Sequence, residues 1–475
     1  MNDHLDRVLF EWEYGDFFTI RNACEGVLIT GGIGSGKTSG SGNLLAGHYL
    51  RNGFAGTVLT AKANEKDLWV KYCKKYGRED DLVIVSPTSG KTFNFMEYES
   101  SLRTDDGKGI ADNIADVLLK VIKASDDGNA VSKDEFWIKS LEELIVCAVE
   151  LALLTSNNRF EHIYEIVLSA PRTFEQSKNG DWQKSSKCYL AMKHVANYLD
   201  NQEETQYILE QERRLKNLEN YFLGRWITLS ERTRTSIEQM FFSFCSRFMR
   251  DPLYSIFNTT TNFVPEDVFE GKIILFDFPY LKYDKIGKEA QLLWKFIFQR
   301  SMLRRTITPK SRPVFLWVDE AHYFLHENDV QAQSTARDFR LCTVYITQNL
   351  PNFYLNFGGN SELGKIRFKA LAGTLATKFF HANSDVETNE YASDLIGKDW
   401  LWSANEGQTM GEKISFSSGQ TETLTHLVEP STFTKLKTGS PLNNHEVQAI
   451  VHRQGKIFQS TDSSYKIVTL KQDSL

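Results

Sequence analysis

The pattern of hydrophobic and polar positions divides the sequence into three parts. In the first part, residues 1–102, short apolar runs alternate with amphipathic stretches. The runs at 26–32, 56–62 and 81–87 predict strands that are buried on both faces. Stretches of helical length separate these runs, which is typical of βαβ units and a parallel sheet.

The middle part, residues 103–250, has apolar residues at helical spacing and almost no strand pattern. It predicts an inserted all-helical domain, in which the polar stretch 171–187 forms a loop between helices. The apolar run 144–154 is too short for a membrane span and contains Glu150, so it predicts a buried helix.

Near-continuous apolar runs return in the last part, residues 251–475. They predict four further buried strands, at 272–279, 313–320, 341–348 and 374–382. Residues 445–458 and 465–472 predict edge strands or a closing hairpin. The sequence therefore predicts an α/β protein with a mainly parallel sheet, interrupted by a helical domain.

Composition narrows the functional classes only in part. The net charge of −6 excludes a basic field over the whole molecule, but it allows a motor with positive charge along an inner channel. The six cysteines show neither a C-x-x-C pair nor a histidine at metal spacing, so we expect reduced thiols. The sequence also shows no signal peptide and no apolar run of membrane-spanning length, so we expect a soluble, cytoplasmic chain.

A glycine-rich loop is the strongest chemical signal. Residues 31–38 fit the pattern G-x-x-x-x-G-K-[ST] after a predicted strand and before a predicted helix, which argues against an incidental turn. Backbone N–H groups of such a loop surround phosphate oxygens, the lysine reaches the outer phosphates, and the hydroxyl helps to hold Mg²⁺. The predicted nucleotide-binding residues are Gly31, Gly32, Gly34, Ser35, Gly36, Lys37, Thr38 and Ser39.

A pair of carboxylates follows the predicted strand at 313–320. Asp319 and Glu320 end this strand at the edge where parallel sheets bind ligands. Asp319 is the candidate Mg²⁺ ligand, and Glu320 is the candidate general base that polarises the attacking water. Alone, the pair is weak evidence, because a solvated strand end has the same pattern; beside the glycine loop it is strong.

Two further polar features lie near the strand at 341–348. Gln348 ends this strand and either senses the γ-phosphate, orients water, or simply opens a loop. Arg337 and Arg340 precede the strand on a predicted helix. An arginine can stabilise the transition state of a neighbouring subunit, although a surface helix with solvated arginines fits the pattern equally well.

The order of these motifs resembles the FtsK/HerA superfamily of ring-shaped DNA motors. Within it, the sequence is similar to the TraD/TraG-type coupling proteins of type IV secretion and conjugation. Four further stretches carry this similarity, at 134–137, 230–237, 378–398 and 427–441. The similarity extends over most of the chain from about residue 20.

The resemblance implies a RecA-like ATPase domain that is formed by residues 1–102 and 251–475 and interrupted by the helical domain at 103–250. It implies that ATP and Mg²⁺ bind at the subunit interfaces of a homo-hexamer. It also implies that Arg337 completes the site of a neighbouring subunit and that Gln348 senses the γ-phosphate.

The implied function is ATP-driven DNA translocation in DNA transfer or mobilisation, on single- or double-stranded DNA. Coupling proteins usually begin with transmembrane helices, which this sequence does not show. The candidate partners therefore include a secretion channel, a relaxase, and a nuclease in DNA processing or anti-phage defence. A second hypothesis is a nucleotide-switched scaffold that assembles a partner without moving DNA.

Overall fold

One large mixed sheet organises the fold. The computed structural model describes residues 4–13, 15–102, 110–125, 135–357, 362–410 and 414–472. Within these ranges nine strands form the sheet; seven neighbouring strands run parallel, and two C-terminal strands join one edge in antiparallel pairing. The predicted α/β class with a mainly parallel sheet is confirmed.

The N-terminal part supplies three strands of the sheet. Its strands are β1 Val8–Glu11, β2 Phe17–Thr19, β3 Val27–Thr30, β4 Ala55–Leu59 and β5 Leu82–Val85, and its helices are α1 Ile20–Cys24, α2 Asn43–Arg51, α3 Glu65–Lys75 and α4 Phe95–Ser101. The three apolar runs of the sequence form β3, β4 and β5, as predicted. The hairpin of β1 and β2 was not predicted.

All elements described between β5 and the next strand of the sheet are helical. These helices are α5 Ile110–Ser125, α6 Glu135–Leu154, α7 Phe160–Leu168, α8 Phe174–Lys178, α9 Gly180–Ser185, α10 Lys187–Leu199, α11 Gln206–Asn220, α12 Trp226–Thr228, α13 Glu231–Phe248 and α14 Leu253–Phe257. None of the helices in the described ranges is both long and apolar enough to cross a membrane.

The predicted loop at 171–187 is wrong, because this stretch contains α8 and α9. Thr173 and Asn179 begin these helices, and their side-chain oxygens accept hydrogen bonds from backbone N–H groups of the first turn. Such caps allow short polar segments to form a helical turn without an apolar face.

The C-terminal part completes the sheet. Its strands are β6 Ile273–Phe276, β7 Val314–Val318, β8 Leu341–Thr347, β9 Thr377–His381, β10 Lys398–Met410, β11 Ile414–His426, β12 Glu446–Arg453 and β13 Tyr465–Lys471, and its helices are α15 Tyr280–Arg304, α16 Asn328–Ser334, α17 Leu350–Asn356, α18 Glu362–Thr374, α19 Val386–Ile396 and α20 Pro430–Phe433. The predicted strands β6 to β9 and the closing hairpin of β12 and β13 are present. The strands β10 and β11 form a separate antiparallel ribbon that was not predicted.

The predicted helix around Arg337 and Arg340 is also wrong. Helix α16 ends at Ser334, and both arginines lie in the turns that lead into β8. Arg340 has a φ of 55°, a left-handed conformation that cannot continue a helix.

Alternate residues of the buried strands pack into two cores. In β3, Leu28 belongs to a core that also contains many apolar residues of the helical segment. Val27 and Ile29 belong to a second core with residues of α2 and α3. The strand is therefore apolar on both faces, which explains its continuous hydrophobic run.

The strand order brings distant parts of the chain to one edge of the sheet. The order is β13-β12-β9-β3-β8-β7-β4-β6-β5. Because β3, β8, β7 and β4 are parallel neighbours, their carboxyl ends meet at the same edge.

Candidate functional site

The glycine loop connects β3 to a helical turn and wraps around its own lysine. Gly34 and Gly36 have φ values of 71° and 83°, which favour residues without a Cβ atom. The Lys37 Nζ donates hydrogen bonds to the carbonyl oxygens of Gly31 and Gly32, at 2.6 and 2.9 Å. Burial lowers the pKa of Lys37. The loop thus holds a buried cation at its centre.

The end of β9 supports this loop. The Gly32 N–H donates to the Ala382 carbonyl at 2.8 Å, and the His381 Nε2 lies 2.6 Å from the Ser41 hydroxyl. Burial lowers the pKa of His381 to about 3, so the ring is neutral at physiological pH. Sequence reasoning missed this support, because a histidine at the end of an apolar strand has no diagnostic pattern.

Thr38 and Asp319 join the loop to the carboxylate pair after β7. The Thr38 hydroxyl donates to Asp319 Oδ2 at 3.3 Å, and the Glu320 N–H donates to Asp319 Oδ1 at 2.8 Å. Burial raises the pKa of Asp319. A hydroxyl beside a carboxylate is the oxygen pair expected of a Mg²⁺ site in a nucleotide-binding loop.

Glu320 is held in a strained and buried position. Its φ of 46° and ψ of 50° are left-handed, and it is 2 % exposed. Such strain in a non-glycine residue is concentrated at functional sites. The Glu320 Oε1 accepts hydrogen bonds from Lys62 Nζ at 2.6 Å and from Gln348 Nε2 at 3.0 Å. Burial raises the pKa of Glu320, but these two hydrogen bonds and the charge of Lys62 outweigh it and lower the pKa.

Gln348 reaches this cluster because β8 is the neighbour of β7. The Asn383 side chain donates to the Gln348 carbonyl oxygen at 3.0 Å and fixes the backbone from which the amide projects. The structure therefore brings Lys37, Thr38 and Asp319 together with the Glu320–Gln348 pair, as the sequence predicted.

Lys62 and Glu65 are members of the cluster that sequence reasoning missed. Both follow β4, and the Glu65 carboxylate accepts hydrogen bonds from the N–H groups of Ala61 and Lys62, at 3.1 and 3.0 Å. Burial, and then the charge of Asp319, raise the pKa of Glu65 well above its usual range. The signal was available, because polar residues after a second buried strand reach the same edge of a parallel sheet.

Arg337 lies near the amino end of β8, on the side of the sheet away from the carboxyl ends that form the cleft. It precedes β8, whose seven residues separate it from Gln348 by roughly 23 Å at about 3.3 Å per residue. Its side chain is 54 % exposed, and its guanidinium is 4.0 Å from the Glu25 carboxylate. Arg340 is buried and donates to the carbonyl oxygens of Pro309 and Ser311. Arg340 thus has a structural role, whereas Arg337 is available to another molecule.

The cleft around these groups has the size and polarity for a nucleotide with Mg²⁺. Its volume is about 550 Å³, and its lining runs from Ile33 to Ser39 and includes Lys62, Leu68, Tyr72, Glu320, Gln348 and Gln472. Three buried lining atoms have no hydrogen-bond partner among the described residues: Ser35 Oγ, Tyr72 OH and Glu320 Oε2. Buried polar groups are normally paired, so these atoms fit a polar ligand and its water.

Comparison with protein families adds an independent finding. Residues 313–438 match the family described as the TraM recognition site of TraD and TraG. The resemblance to TraD and TraG is confirmed for this segment. It contains both carboxylates of the site, Gln348, Arg337 and the β10–β11 ribbon. A comparison with curated proteins gives no significant match.

Solved structures share the fold over the whole chain. The unbound bacterial conjugative coupling protein TrwBΔN70 is 14% identical, with a TM-score of 0.57 over 100% of this chain and 90% of that one. TrwB in complex with the ATP analogue ADPNP gives the same identity and TM-score, over 100% of this chain and 91% of that one. VirB4 of Thermoanaerobacter pseudethanolicus is also 14% identical, with a TM-score of 0.50 over 100% and 98% of the two chains. At these identities the likeness shows a shared fold.

Proposed function

We propose that this protein is an ATP-hydrolysing DNA motor related to conjugative coupling proteins. One observation carries the proposal: the hydrogen bond between Thr38 and Asp319 joins the glycine loop to a carboxylate 281 residues away. This contact assembles phosphate-binding and metal-binding groups in one cleft. A fold shared with TrwB, which has been crystallised with ADP and Mg²⁺, supports the same conclusion.

The glycine loop, Asp319, Glu320 and Gln348 each have a part in the proposed hydrolysis. The loop N–H groups and Lys37 bind the phosphates, and Thr38 and Asp319 hold Mg²⁺, which neutralises phosphate charge when bound. The Glu320 carboxylate accepts a proton from water as the water oxygen bonds to the γ-phosphorus. The bond from that phosphorus to the bridging oxygen breaks, and ADP leaves with the electron pair. Gln348 orients the water and reports the presence of the γ-phosphate.

The position of Arg337 favours action between subunits. It is exposed at the edge of the sheet opposite its own cleft, so it can stabilise transition-state charge only in a neighbouring copy. A closed ring of identical subunits places such an edge against the next cleft, and we infer a homo-hexamer. The ATPase domain comprises residues 1–102 and 251–475, and the helical domain comprises residues 103–250.

The match to a recognition-site family supports a protein partner as well as DNA. The family is described as the TraM recognition site, and it covers residues 313–438 of this chain. A counterpart of TraM that recognises residues 313–438 is therefore the candidate protein partner. ATP turnover without movement along DNA would instead favour a nucleotide-switched scaffold.

Substitution of Lys37 tests the nucleotide site. Lys37→Ala should weaken binding of a fluorescent ATP analogue by about 100-fold, because it removes charge-assisted hydrogen bonds to phosphate. Turnover should fall to background. Lys456→Ala, at an exposed lysine that does not line the cleft, should bind and hydrolyse normally. Full activity of Lys37→Ala would refute the assignment of the loop.

A further inference from the structure

Lys62 lies in the nucleotide cleft and forms an ion pair with Glu320. It follows β4, lines the nucleotide cleft, and has a side chain that is 38 % exposed. Its ammonium is 2.6 Å from the Oε1 atom of Glu320, whose side chain is 3 % exposed. The cleft thus contains an ion pair between a partly exposed cation and the buried candidate base.

This ion pair restrains the carboxylate. The Glu320 Oε1 accepts from both Lys62 and Gln348, whereas Oε2 is buried without a hydrogen-bond partner among the described residues and lies 3.7 Å from His322 Nδ1. The two donors on Oε1 fix the orientation of the whole carboxylate, including Oε2, the oxygen left to accept a proton from water. Release of Lys62 lets the carboxylate turn toward an attacking water, and geometry is the first requirement for a general base.

A bound triphosphate would compete with Glu320 for the Lys62 ammonium. Lys37 and Lys62 are the two ammonium groups among the described residues that line it. The Lys37 ammonium donates hydrogen bonds to carbonyl oxygens of the loop, and the Lys62 ammonium donates to Glu320. Both ammonium groups therefore have hydrogen-bond partners within the protein. A triphosphate brings several negative charges into this space. Lys37 reaches the outer phosphates from the loop. Lys62 is the lining ammonium beside Glu320, where water would attack the terminal phosphate.

We propose that Lys62 is a γ-phosphate sensor that exchanges from Glu320 to the terminal phosphate and thereby frees Glu320 to accept the proton of water. This proposal rests on the proposed function. ADP has no terminal phosphate at that position, so Lys62 stays on Glu320 and the carboxylate stays restrained. The exchange makes the assembly of the catalytic geometry conditional on the triphosphate.

The affinity ratio between a non-hydrolysable ATP analogue and ADP tests the sensor. Lys62→Met should lower this ratio by about tenfold, since one charge-assisted hydrogen bond to the γ-phosphate is lost and ADP binding is unaffected. Lys62→Arg, which keeps the charge and donors, should retain most of the ratio. Both affinities can be measured by displacement of a fluorescent nucleotide.

Lys66 provides a matched control. Its side chain is also 38 % exposed, and it pairs with a carboxylate after another strand, with Nζ 3.1 Å from Asp277 Oδ2. It is not among the residues that line the cleft. Lys66→Met should leave the ratio unchanged. An unchanged ratio in Lys62→Met, or an equal loss of both affinities, would overturn the sensor.

A double-mutant cycle with Glu320 isolates the exchange itself. Glu320→Gln removes the competing charge, so Lys62 should move to the γ-phosphate more readily and the analogue should bind about five- to tenfold more tightly. This gain should vanish in the double variant Lys62→Met/Glu320→Gln. A gain that persists without Lys62 would contradict the exchange. If the wild-type protein bound no nucleotide at all, both the sensor and the proposed function would fail. If the wild-type protein binds nucleotide but the cycle shows no coupling between Lys62 and Glu320, the sensor alone is refuted.

Discussion

Glu320→Gln will bind ATP at least as tightly as the wild-type protein but hydrolyse it about 1,000-fold more slowly. The amide keeps the size of the side chain and can still accept a hydrogen bond from Lys62, so the cleft should retain its shape. It cannot accept a proton from water. The loss should therefore appear in the turnover number, measured by phosphate release at saturating ATP, and not in affinity.

Glu327→Gln is a suitable control for this variant. Glu327 is a carboxylate that is paired with Arg367 and is not among the residues that line the nucleotide cleft. Its substitution should leave turnover close to that of the wild-type protein. Turnover within a few-fold of wild type in Glu320→Gln would mean that another group accepts the proton, and it would remove Glu320 from the mechanism.

Arg337→Ala should lower turnover by about 1,000-fold while each subunit keeps its fold and its nucleotide affinity. The guanidinium is half-exposed and its nearest carboxylate is 4.0 Å away, so its removal breaks no buried contact. It also lies far from the cleft of its own subunit. A large loss would therefore come from a site on another subunit, where transition-state charge lacks a partner.

Mixed rings decide whether Arg337 acts between subunits. An Arg337→Ala subunit still has Glu320, and a Glu320→Gln subunit still has Arg337. A mixed interface is therefore complete when the first provides the cleft and the second provides the arginine. Mixing the two inactive proteins should restore part of the activity. Arg213→Ala, at an exposed arginine of α11, should be active by itself. No recovery in any mixing ratio would argue against action in trans.

The parallel strands were the part of the fold that the sequence predicted best. Strands such as β3 and β7 are buried on both faces, so their apolar runs are nearly continuous and differ from helical spacing. The order of strands did not follow from this pattern. That β7 lies between β8 and β4 is a property of the crossovers. The link between Thr38 and Asp319 was predicted from the two motifs together, because both residues are Mg²⁺ ligand types at the carboxyl ends of parallel strands.

The ribbon of β10 and β11 shows where the hydrophobic pattern fails. Its strands pair with each other and not with the large sheet, so selection for a buried face is weak. Trp400 and Leu424 are direct partners in the ribbon, and both are about half exposed. In the sequence, this stretch resembles a polar loop with scattered aromatic residues.

The residues of the candidate site that belong to a sequence motif could be predicted. Those that reach the site only through the three-dimensional fold could not. Lys37 and Thr38 belong to a spacing pattern with a physical mechanism. Lys62 belongs to no such pattern, and its role depends on a 2.6 Å contact with Glu320, which is 258 residues away in the chain. Arg337 was predicted as a residue but on the wrong element, because the left-handed backbone of Arg340 is not visible in a helix-like sequence.

The most direct test of the account is the ATPase rate of the purified protein with single-stranded DNA, with double-stranded DNA and without DNA, using Lys37→Ala as the blank. We expect hydrolysis that depends on Lys37 and is strongly stimulated by one form of DNA, which would also identify the track. Lys37-dependent hydrolysis that is indifferent to both forms would contradict the DNA motor and favour a protein partner as the activator.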